Sequence, residues 1–581
     1  MKKQWQIRHP DPETIMQMSK TLKCHPITAA VLINRHILNE PEASGFLNVS
    51  LKNMRSPFTL KDMDRAVHRI YDAIKANEKI LIFGDYDVDG VTATAILLDF
   101  FRYIGANVSY YIPHRINEGY GLHTQHITND VLSDNTSLVI TADNGSASFE
   151  AVAKARASGV DVIITDHHNI AEKIPPALAV INPKRHDCIA DLDHLAGVGV
   201  AFCLLICLRK YLRDRRFWDC RSEPNLKNYC DLVALGTIAD MVPLVYENRI
   251  FSKIGLELIK SCHHPGIQAL MEVAGISKNA ADADDIAFRL APRLNAAGRM
   301  VHASIAVDLL TTKDVNQARQ IANSLNTLNQ KRQDLEKRII DDILAGLKKN
   351  PDLLKTNSLV LWNRQWHEGV LGIVASRMVE KYYRPVVLVA VKDQFGKGSA
   401  RSIPEIDLYQ RLLACESTLE NFGGHSMAAG LKVKIENLEL FKKHFEDAVG
   451  ELIETQNLMP TLYIDGELDF RDISERLIDE LESLAPFGTG NSEPIFMARN
   501  VSVVSSQVVG HNHRRMVLKQ TFDASNQGVH AIHFNVDTGL HFKDSFERIA
   551  FKLRWNRWNA AKTAQLIIED VSDLTFPVYP G

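Results

Sequence analysis

Acidic and imidazole side chains recur in this sequence immediately after short apolar runs. Residues 80–83 lead into Gly84-Asp-Tyr-Asp-Val-Asp-Gly90, residues 138–141 into Asp143-Asn-Gly145, and residues 160–165 into Asp166-His-His168. If the runs are strands of one open parallel sheet, these groups converge, because ligand sites in such sheets lie at the carboxyl ends of the strands. Three or more carboxylates brought together away from water repel one another and need a cation. Mixed carboxylate and imidazole donors suit Mn²⁺ or Mg²⁺, and their number suggests two ions, while the lack of cysteine among them argues against structural zinc. Two such ions about 3.5–4 Å apart activate a water and stabilise the leaving oxygen of a phosphoryl group, which makes phosphate ester hydrolysis the leading chemistry. Taken singly, each piece has a plainer reading. Asp85, Asp87 and Asp89 equally suit a helix N-cap, and Ile96 stands where a calcium loop of the EF-hand type needs Glu.

The elements that must position these groups follow from the pattern around them. Apolar runs at 80–83, 108–112, 138–141, 160–165 and 179–181 alternate with helix-like segments such as 91–104 and 148–158, which predicts an α/β fold with a parallel sheet. Between residues 311 and 350 the apolar positions fall three to four apart, as in one long amphipathic helix bridging two domains. A second α/β region begins near 358, with strands at 359–362 and 385–391. Short β-type segments at 501–504, 516–518, 530–534 and 549–555 predict a small C-terminal barrel or sandwich.

Composition bounds the function classes. The 581 residues hold 67 basic and 70 acidic side chains, a net charge of −3, so binding of nucleic acid through bulk positive charge is excluded. Charge is nevertheless uneven: residues 436–493 carry 15 acidic and 4 basic residues, whereas 499–562 carry 10 basic and 4 acidic. The longest apolar run, 195–208, is short of the roughly 20 residues a membrane helix needs, and no apolar segment follows the basic start, so a cytoplasmic protein is expected. The eight cysteines contain no C-x-x-C pair and fit reduced thiols. There is no P-loop, and Gly197-Val-Gly-Val-Ala-Phe202 lacks the third Gly of a dinucleotide fingerprint and reads as close helix packing.

Further residues suit phosphate handling. Arg289, Arg293 and Arg299 surround a short Ala-Ala-Gly stretch and can grip phosphates with two hydrogen bonds each. In Gly423-Gly-His-Ser-Met-Ala-Ala-Gly430, Gly423 and Gly424 let backbone amides approach an anion to which His425 can donate. Arg514, Arg515, Lys519, Lys552, Arg554, Trp555 and Arg557 interleave cations with aromatic residues, the pairing a single-strand groove uses. Trp555 and Trp558 are three apart, so on a strand they face opposite sides and one of them suits the core.

With these motifs the chain resembles the DHH phosphoesterase superfamily, through Asp166-His-His168, and more closely its RecJ family of single-strand-specific exonucleases, through Ala234-Leu-Gly-Thr-Ile-Ala-Asp-Met-Val-Pro-Leu244 and Arg293-Leu-Asn-Ala-Ala-Gly-Arg299. The resemblance spans nearly the whole chain. It implies an N-terminal helical segment at 1–70, a DHH catalytic domain at 71–310, a connecting helix at 311–350, a DHH-associated substrate-binding domain at 351–457 and an OB-fold at 458–581. It implies that Asp87, Asp89, Asp143, His167 and Asp240 ligate Mn²⁺ or Mg²⁺, that His168 sits beside the metals, and that Asp85 supports the ligands or ligates directly. By the same resemblance His367, Arg377, Ser399, Arg401 and His425 contact phosphate or the 5′ end. Wider members carry a metal-ligating His where this chain has Phe83. The implied activity is a 5′-to-3′ single-stranded DNA exonuclease releasing 5′-mononucleotides in repair and recombination. The implied form is a monomer, with a single-strand-binding protein and a RecQ-type helicase as partners. A phosphodiesterase of nano-RNA or cyclic dinucleotides, which would not need the basic barrel, and a decayed DNA-binding scaffold, which would have lost its acidic ligands, are the alternatives.

Overall fold

The computed structural model of the chain describes residues 3–453, 458–510, 512–520, 528–536, 544–558 and 561–572. They belong to two compact units, Met54–Val242 with Glu247–Leu458, and Lys2–Asn53 with Pro243–Tyr246 and Met459–Gly581.

The first unit is built on β1 (Ile80–Phe83), β2 (Val108–Tyr111), β3 (Leu138–Thr141), β4 (Asp161–Thr165) and β5 (Ala179–Ile181), all parallel in the order β2-β1-β3-β4-β5. β1 and β3 bury every side chain while the edge strand β2 is half-buried, as expected of a sheet covered on both faces. The order reverses at β1 and β3, which makes the carboxyl ends of these two strands the switch point. Helix α1 (Val88–Tyr103) begins three residues earlier than the apolar pattern predicts, because Asp87 caps it through a hydrogen bond from the Gly90 amide. Phe83 is fully buried and stacks on Tyr111, so it belongs to the core. Helices α2 (Gly197–Asp214), α3 (Cys230–Ala239) and α4 (Ala291–Met300) complete the part that carries the site.

Helix α5 (Val315–Lys349) is 35 residues long, about 50 Å at 1.5 Å per residue. It starts after Asp314, whose carboxylate accepts the amides of Asn316 and Gln317 at 2.7 and 2.9 Å, rather than at Thr311, which ends the preceding helix. Ala318, Ala322 and Leu325 are buried in its first half, while Ile339, Ile343 and Leu347 share a core with Val374 and Leu388 of the following α/β layer. That layer holds β6 (Leu359–Asn363), α6 (Leu371–Tyr382), β7 (Val386–Lys392), β8 (Phe395–Arg401), β9 (Asn421–Gly424) and β10 (Ala428–Lys434), in the order β9-β10-β8-β7-β6. Only β6 and β7 are parallel.

In the second unit, β11 (Phe496–Val509), β12 (His513–Gln520), β13 (Val529–His533), β14 (Ser545–Trp558) and β15 (Ala561–Ser572) close into a five-stranded barrel in the order β11-β12-β13-β15-β14, with β14 returning to β11. The N-terminal residues treated above as one segment divide between the units. Gln4–Ile7 pairs in parallel with Thr461–Ile464, and Val31, Leu32 and Ala43 share the barrel-side core with Leu477 and Phe496, whereas Met63–Lys75 belongs to the first unit. No helix among the described residues is long and apolar enough to cross a membrane.

Candidate metal centre

β1 and β3 end in register and the neighbouring β4 ends close beside them, so the segments after them open onto one place. Asp85, Asp87 and Asp89 follow β1, Asp143 follows β3, and His167 and His168 follow β4. Asp240, the residue capping the C-terminus of α3, completes the cluster. The nitrogen His167 Nε2 lies 3.2 Å from Asp143 Oδ1, 3.6 Å from Asp240 Oδ2 and 3.7 Å from Asp89 Oδ2. Three overlapping groups bring their ligand atoms within 4.8 Å of one another: Asp143, His167 and His168; Asp89, His167 and Asp240; and Asp85, Asp87 and Asp143.

Each side chain is fixed by the turn or helix that its strand runs into. Asp89 accepts the amides of Gly197 at 2.6 Å and Val198 at 2.8 Å, so the N-terminus of α2 holds its carboxylate. Gly90 is required by close approach, since a Cβ there would lie 2.5 Å from the Asp85 Cβ. Asp143 adopts a left-handed backbone with φ of 66°, a conformation that residues other than glycine take at a cost. Asp166 is a support: it accepts the amides of Ser146, His167 and His168 and binds His168 Nδ1 at 2.8 Å. Asp240 stands at the negative end of the α3 dipole, where a carboxylate is disfavoured without a cation.

The electrostatics point the same way. Burial, then the neighbouring carboxylates, pushes Asp89 up to about 7 and Asp240 up to about 9, and drives Asp85 and Asp143 well above the ordinary range. Burial and then the adjacent His168 charge push His167 down to about 3, keeping its imidazole neutral. Burial opposes charge on both Asp166 and His168, yet their hydrogen bond holds the acid below its usual range and lifts the imidazole to about 9. Asp143 Oδ1, Asp85 Oδ1 and both ring nitrogens of His167 are buried without a hydrogen-bond partner. Buried polar atoms left this way cost about 1–3 kcal/mol each. A neutral imidazole among orphaned carboxylate oxygens is the donor set that divalent Mn²⁺ or Mg²⁺ takes. The residues present therefore fit such ions, and the fit makes sense of carboxylates that otherwise only repel.

Guanidinium groups surround Tyr86, whose hydroxyl feels Asp85 first, then Arg115, Asp87 and Arg299 after the effect of burial. Arg115 stacks on the Tyr86 ring at 4.7 Å. Arg299 donates to the Gly369 carbonyl at 3.2 Å and is pushed down to about 9 by burial and by Arg115, Arg332 and Arg401. Arg401 donates to the Ala400 carbonyl at 2.8 Å and to Ser399 Oγ at 3.3 Å. Arg377 reaches Glu336 on α5 at 3.1 Å, and Arg332 binds the same fully buried carboxylate. Arg293 is tied to Asn326 at 3.0 Å and to the Arg289 carbonyl at 2.6 Å, while Arg289 itself pairs with Asp285. His367 caps its local turn by accepting the Gly369 amide at 3.1 Å. Gly423, Gly424 and His425 are exposed, and only Gly424 is sterically obligatory, with φ of 147° and a Cβ that would fall 2.4 Å from the Ala428 carbonyl oxygen.

Arg115, Arg332 and Glu336 are the residues that sequence reasoning missed. Arg115 lies just past the end of β2, so the strand-end rule would have found it; Arg332 and Glu336 lie mid-helix, where nothing in the spacing marks them.

The barrel differs from the basic groove drawn from its sequence. Trp555 is a core residue whose Nε1 donates to Asp479 at 2.8 Å. Arg554 pairs with Glu493, Lys552 with Glu569 at 2.8 Å, and Arg557 with Glu482 through two bonds at 2.9 and 2.6 Å. Acidic and basic stretches separated in sequence thus neutralise each other in space. Arg514 is nearly buried and donates to Ser506, Lys519 is half-buried, and Arg515 is exposed. The Trp558 side chain lies outside the described residues.

Comparison with known proteins agrees with this geometry. Sequence models match for the DHH family, N-terminal domain, at residues 79–237, for the DHHA1 domain at 355–451 and for the RecJ OB domain at 464–570. The chain is 35% identical to the single-stranded-DNA-specific exonuclease RecJ of Haemophilus influenzae, covering 95% of this chain and 96% of that one. It is 34% identical to RecJ of Escherichia coli, covering 98% and 100%. Among solved structures, RecJ of Thermus thermophilus in complex with Mn²⁺ matches with a TM-score of 0.84 at 28% identity, over 99% of this chain and 80% of that one. The Mg²⁺ complex of the same protein matches at 0.77, with 28% identity over 99% and 79% of the two chains. Strand-end acids, clustered arginines, the associated α/β layer and a closed barrel thus occur together and in one order, and the chain belongs to the RecJ family of single-stranded-DNA-specific exonucleases.

Proposed function

We propose that this chain hydrolyses single-stranded DNA from its 5′ end, releasing 5′-mononucleotides in DNA repair and recombination. Asp87, Asp89, Asp143, His167 and Asp240 are the residues that would hold two Mn²⁺ or Mg²⁺ ions, with Asp85 in support. The observation that carries this reading is the set of buried, unpartnered oxygens and nitrogens of Asp85, Asp143 and His167 at three strand ends. Bound there, the ions supply Lewis acidity to the attacking water and to the charge developing on phosphate.

The protein's own residues do the rest. The Gly197 and Val198 amides aim the Asp89 carboxylate and favour its ionised form against the effect of burial. His168, with Nδ1 tied to Asp166, keeps Nε2 for a phosphate oxygen and donates to it. Arg299 and Arg401, joined by Arg115, hold the terminal phosphate, and Ser399, His367, Arg377, Arg293 and the Gly423-Gly424-His425 loop steady the strand nearby. A guanidinium that burial has stripped of water regains much when a phosphate arrives, which favours strands ending in phosphate. In the barrel, Arg515 is the first of the basic residues to meet DNA. The protein acts as a monomer and takes strands delivered by a helicase and covered by a single-strand-binding protein.

Direction is tested with single strands blocked at one end by consecutive phosphorothioates. A 5′ block is expected to stop mononucleotide release and a 3′ block to leave its initial rate unchanged. The converse pattern contradicts the proposed direction.

A further inference from the structure

The loop between β2 and the segment that begins at Leu122 reaches into the centre through one side chain. Tyr120 Oη donates to the Asp143 carbonyl at 3.1 Å and lies 2.9 Å from His168 Nδ1. One hydroxyl thus bridges the ends of β3 and β4, and it does so at two sensitive points. The Asp143 carbonyl belongs to a residue held at φ of 66°, and His168 is the imidazole beside the candidate ligands. The ring packs edge-on against His168, with centroids 5.3 Å apart.

The loop is built to deliver this residue. Gly119 and Gly121 flank it at φ of 84° and 88°; a Cβ at Gly119 would meet nothing within 4 Å and one at Gly121 only Ser148 Oγ at an ordinary 3.7 Å, so backbone conformation rather than crowding requires glycine. Glu118 accepts the His114 amide and, at 2.8 Å, the Tyr111 hydroxyl, which ties the base of the loop to the end of β2. Its outer side is held by Lys397 of β8, which donates to the Ile116 carbonyl at 3.2 Å.

We propose that Tyr120 is a positioning residue for the hydrolysis: its hydroxyl oxygen, sharing the Nδ1 proton of His168 with Asp166, locks the imidazole with Nε2 toward the substrate phosphate, while its own proton, given to the Asp143 carbonyl, steadies that left-handed peptide. This rests on the exonuclease reading above and adds a residue to it. Outer partners of this kind affect activity by about 10- to 100-fold when removed.

Tyr120→Phe keeps the ring and removes only the bridge. On single-stranded DNA its kcat is expected to fall about 10- to 100-fold with KM and the thermal unfolding midpoint unchanged. In a His168→Ala background the same change is expected to cost less, because only the bond to the Asp143 carbonyl is left to lose. A wild-type kcat overturns the proposal, as does an equal loss in both backgrounds or a fall in the unfolding midpoint. The ¹⁵N resonance of His168 Nδ1 in full-length protein without DNA, assigned with His168→Ala, gives a readout independent of turnover. It is expected to move in Tyr120→Phe, and an unmoved resonance overturns the proposal even if the wild type releases no nucleotides, an outcome that would separately sink the exonuclease reading.

Discussion

A methyl group added at Gly197 would strike the centre directly. A Cβ there would lie 2.3 Å from Asp143 Oδ1, 2.6 Å from its Cγ and 2.7 Å from its Cβ. Residue 197 cannot retreat freely, because its amide also holds Asp89 Oδ2 at 2.6 Å, and Asp143 is buried and has nowhere to go. Restoring an ordinary separation of about 3.5 Å takes a movement of roughly 1 Å. A displacement of that size at reacting groups costs on the order of 10²-fold in turnover. Overpacking itself costs about 1–3 kcal/mol, which leaves a multi-core chain of this length folded. Gly199→Ala is the matched control, for its Cβ would meet only the Leu195 side chain, tightest at Cδ2 at 3.2 Å with Cβ at an ordinary 3.5 Å, a contact a small side-chain shift relieves. Nucleotide release from end-labelled single strands at saturating Mn²⁺, alongside thermal unfolding, measures both variants. Gly197→Ala is expected to fold and turn over about 10²-fold more slowly, with Gly199→Ala near wild type. Wild-type turnover in Gly197→Ala, or equal losses in the two variants, would refute the reasoning.

Other expectations concern the cation, the fold and the barrel. Mn²⁺ at a hundred times its dissociation constant should stabilise the protein by about 2.7 kcal/mol per bound ion in thermal unfolding; Asp143→Asn should reduce that gain and, by relieving repulsion, raise the metal-free midpoint. A wild-type midpoint insensitive to Mn²⁺ would contradict the metal reading. Glu247, buried under Arg55 at 2.7 Å and His194 at 2.9 Å, is held below the usual carboxylate range by hydrogen bonds from both, although burial opposes ionisation. A depressed folded pKa gives stability that is complete above the unfolded value, about 4.3, and fades as pH drops below it. Glu247→Gln should therefore cost about 3 kcal/mol in urea unfolding at pH 7, with the difference shrinking at acid pH; a pH-independent difference would count against this. In the barrel, Arg515→Ala should reduce the salt dependence of single-strand binding by about 0.7 log units per contact, whereas Arg557→Ala, already paired with Glu482, should leave it unchanged; the opposite ranking would restore the groove drawn from sequence.

Much of the centre was legible in the sequence for a physical reason. Continuous apolar runs such as 80–83 and 138–141 suit only strands buried on both faces, and a parallel sheet gathers the residues after them in one place. Strand bounds deviated by one residue at 108–112 and at 160–165, where Ile112 and Val160 are buried but lie outside the ladder. Gly197 shows the limit. Its spacing suggested helix packing, and it does pack closely, but the partner is Asp143, a contact that only the folded arrangement reveals. The same holds for Glu336, one acid among many on α5, which folding places between Arg332 and Arg377. The C-terminal charge pattern misled because linear asymmetry says nothing of pairing: Glu482 and Arg557 are 75 residues apart in sequence and joined in space. Trp555 was ambiguous for a related reason, since a basic, aromatic strand offers one face to the core and one to solvent, and spacing does not say which.

The most direct measurement is nucleotide release by wild type and Asp143→Ala from end-labelled single strands, duplexes and dinucleotides, with and without Mn²⁺ or Mg²⁺. Hydrolysis of the single strands is expected from the wild type alone and only with a divalent ion, with duplexes spared. Digestion of dinucleotides but not of longer strands, or full activity in Asp143→Ala or in chelator, would contradict a strand-end metal centre acting on single-stranded DNA.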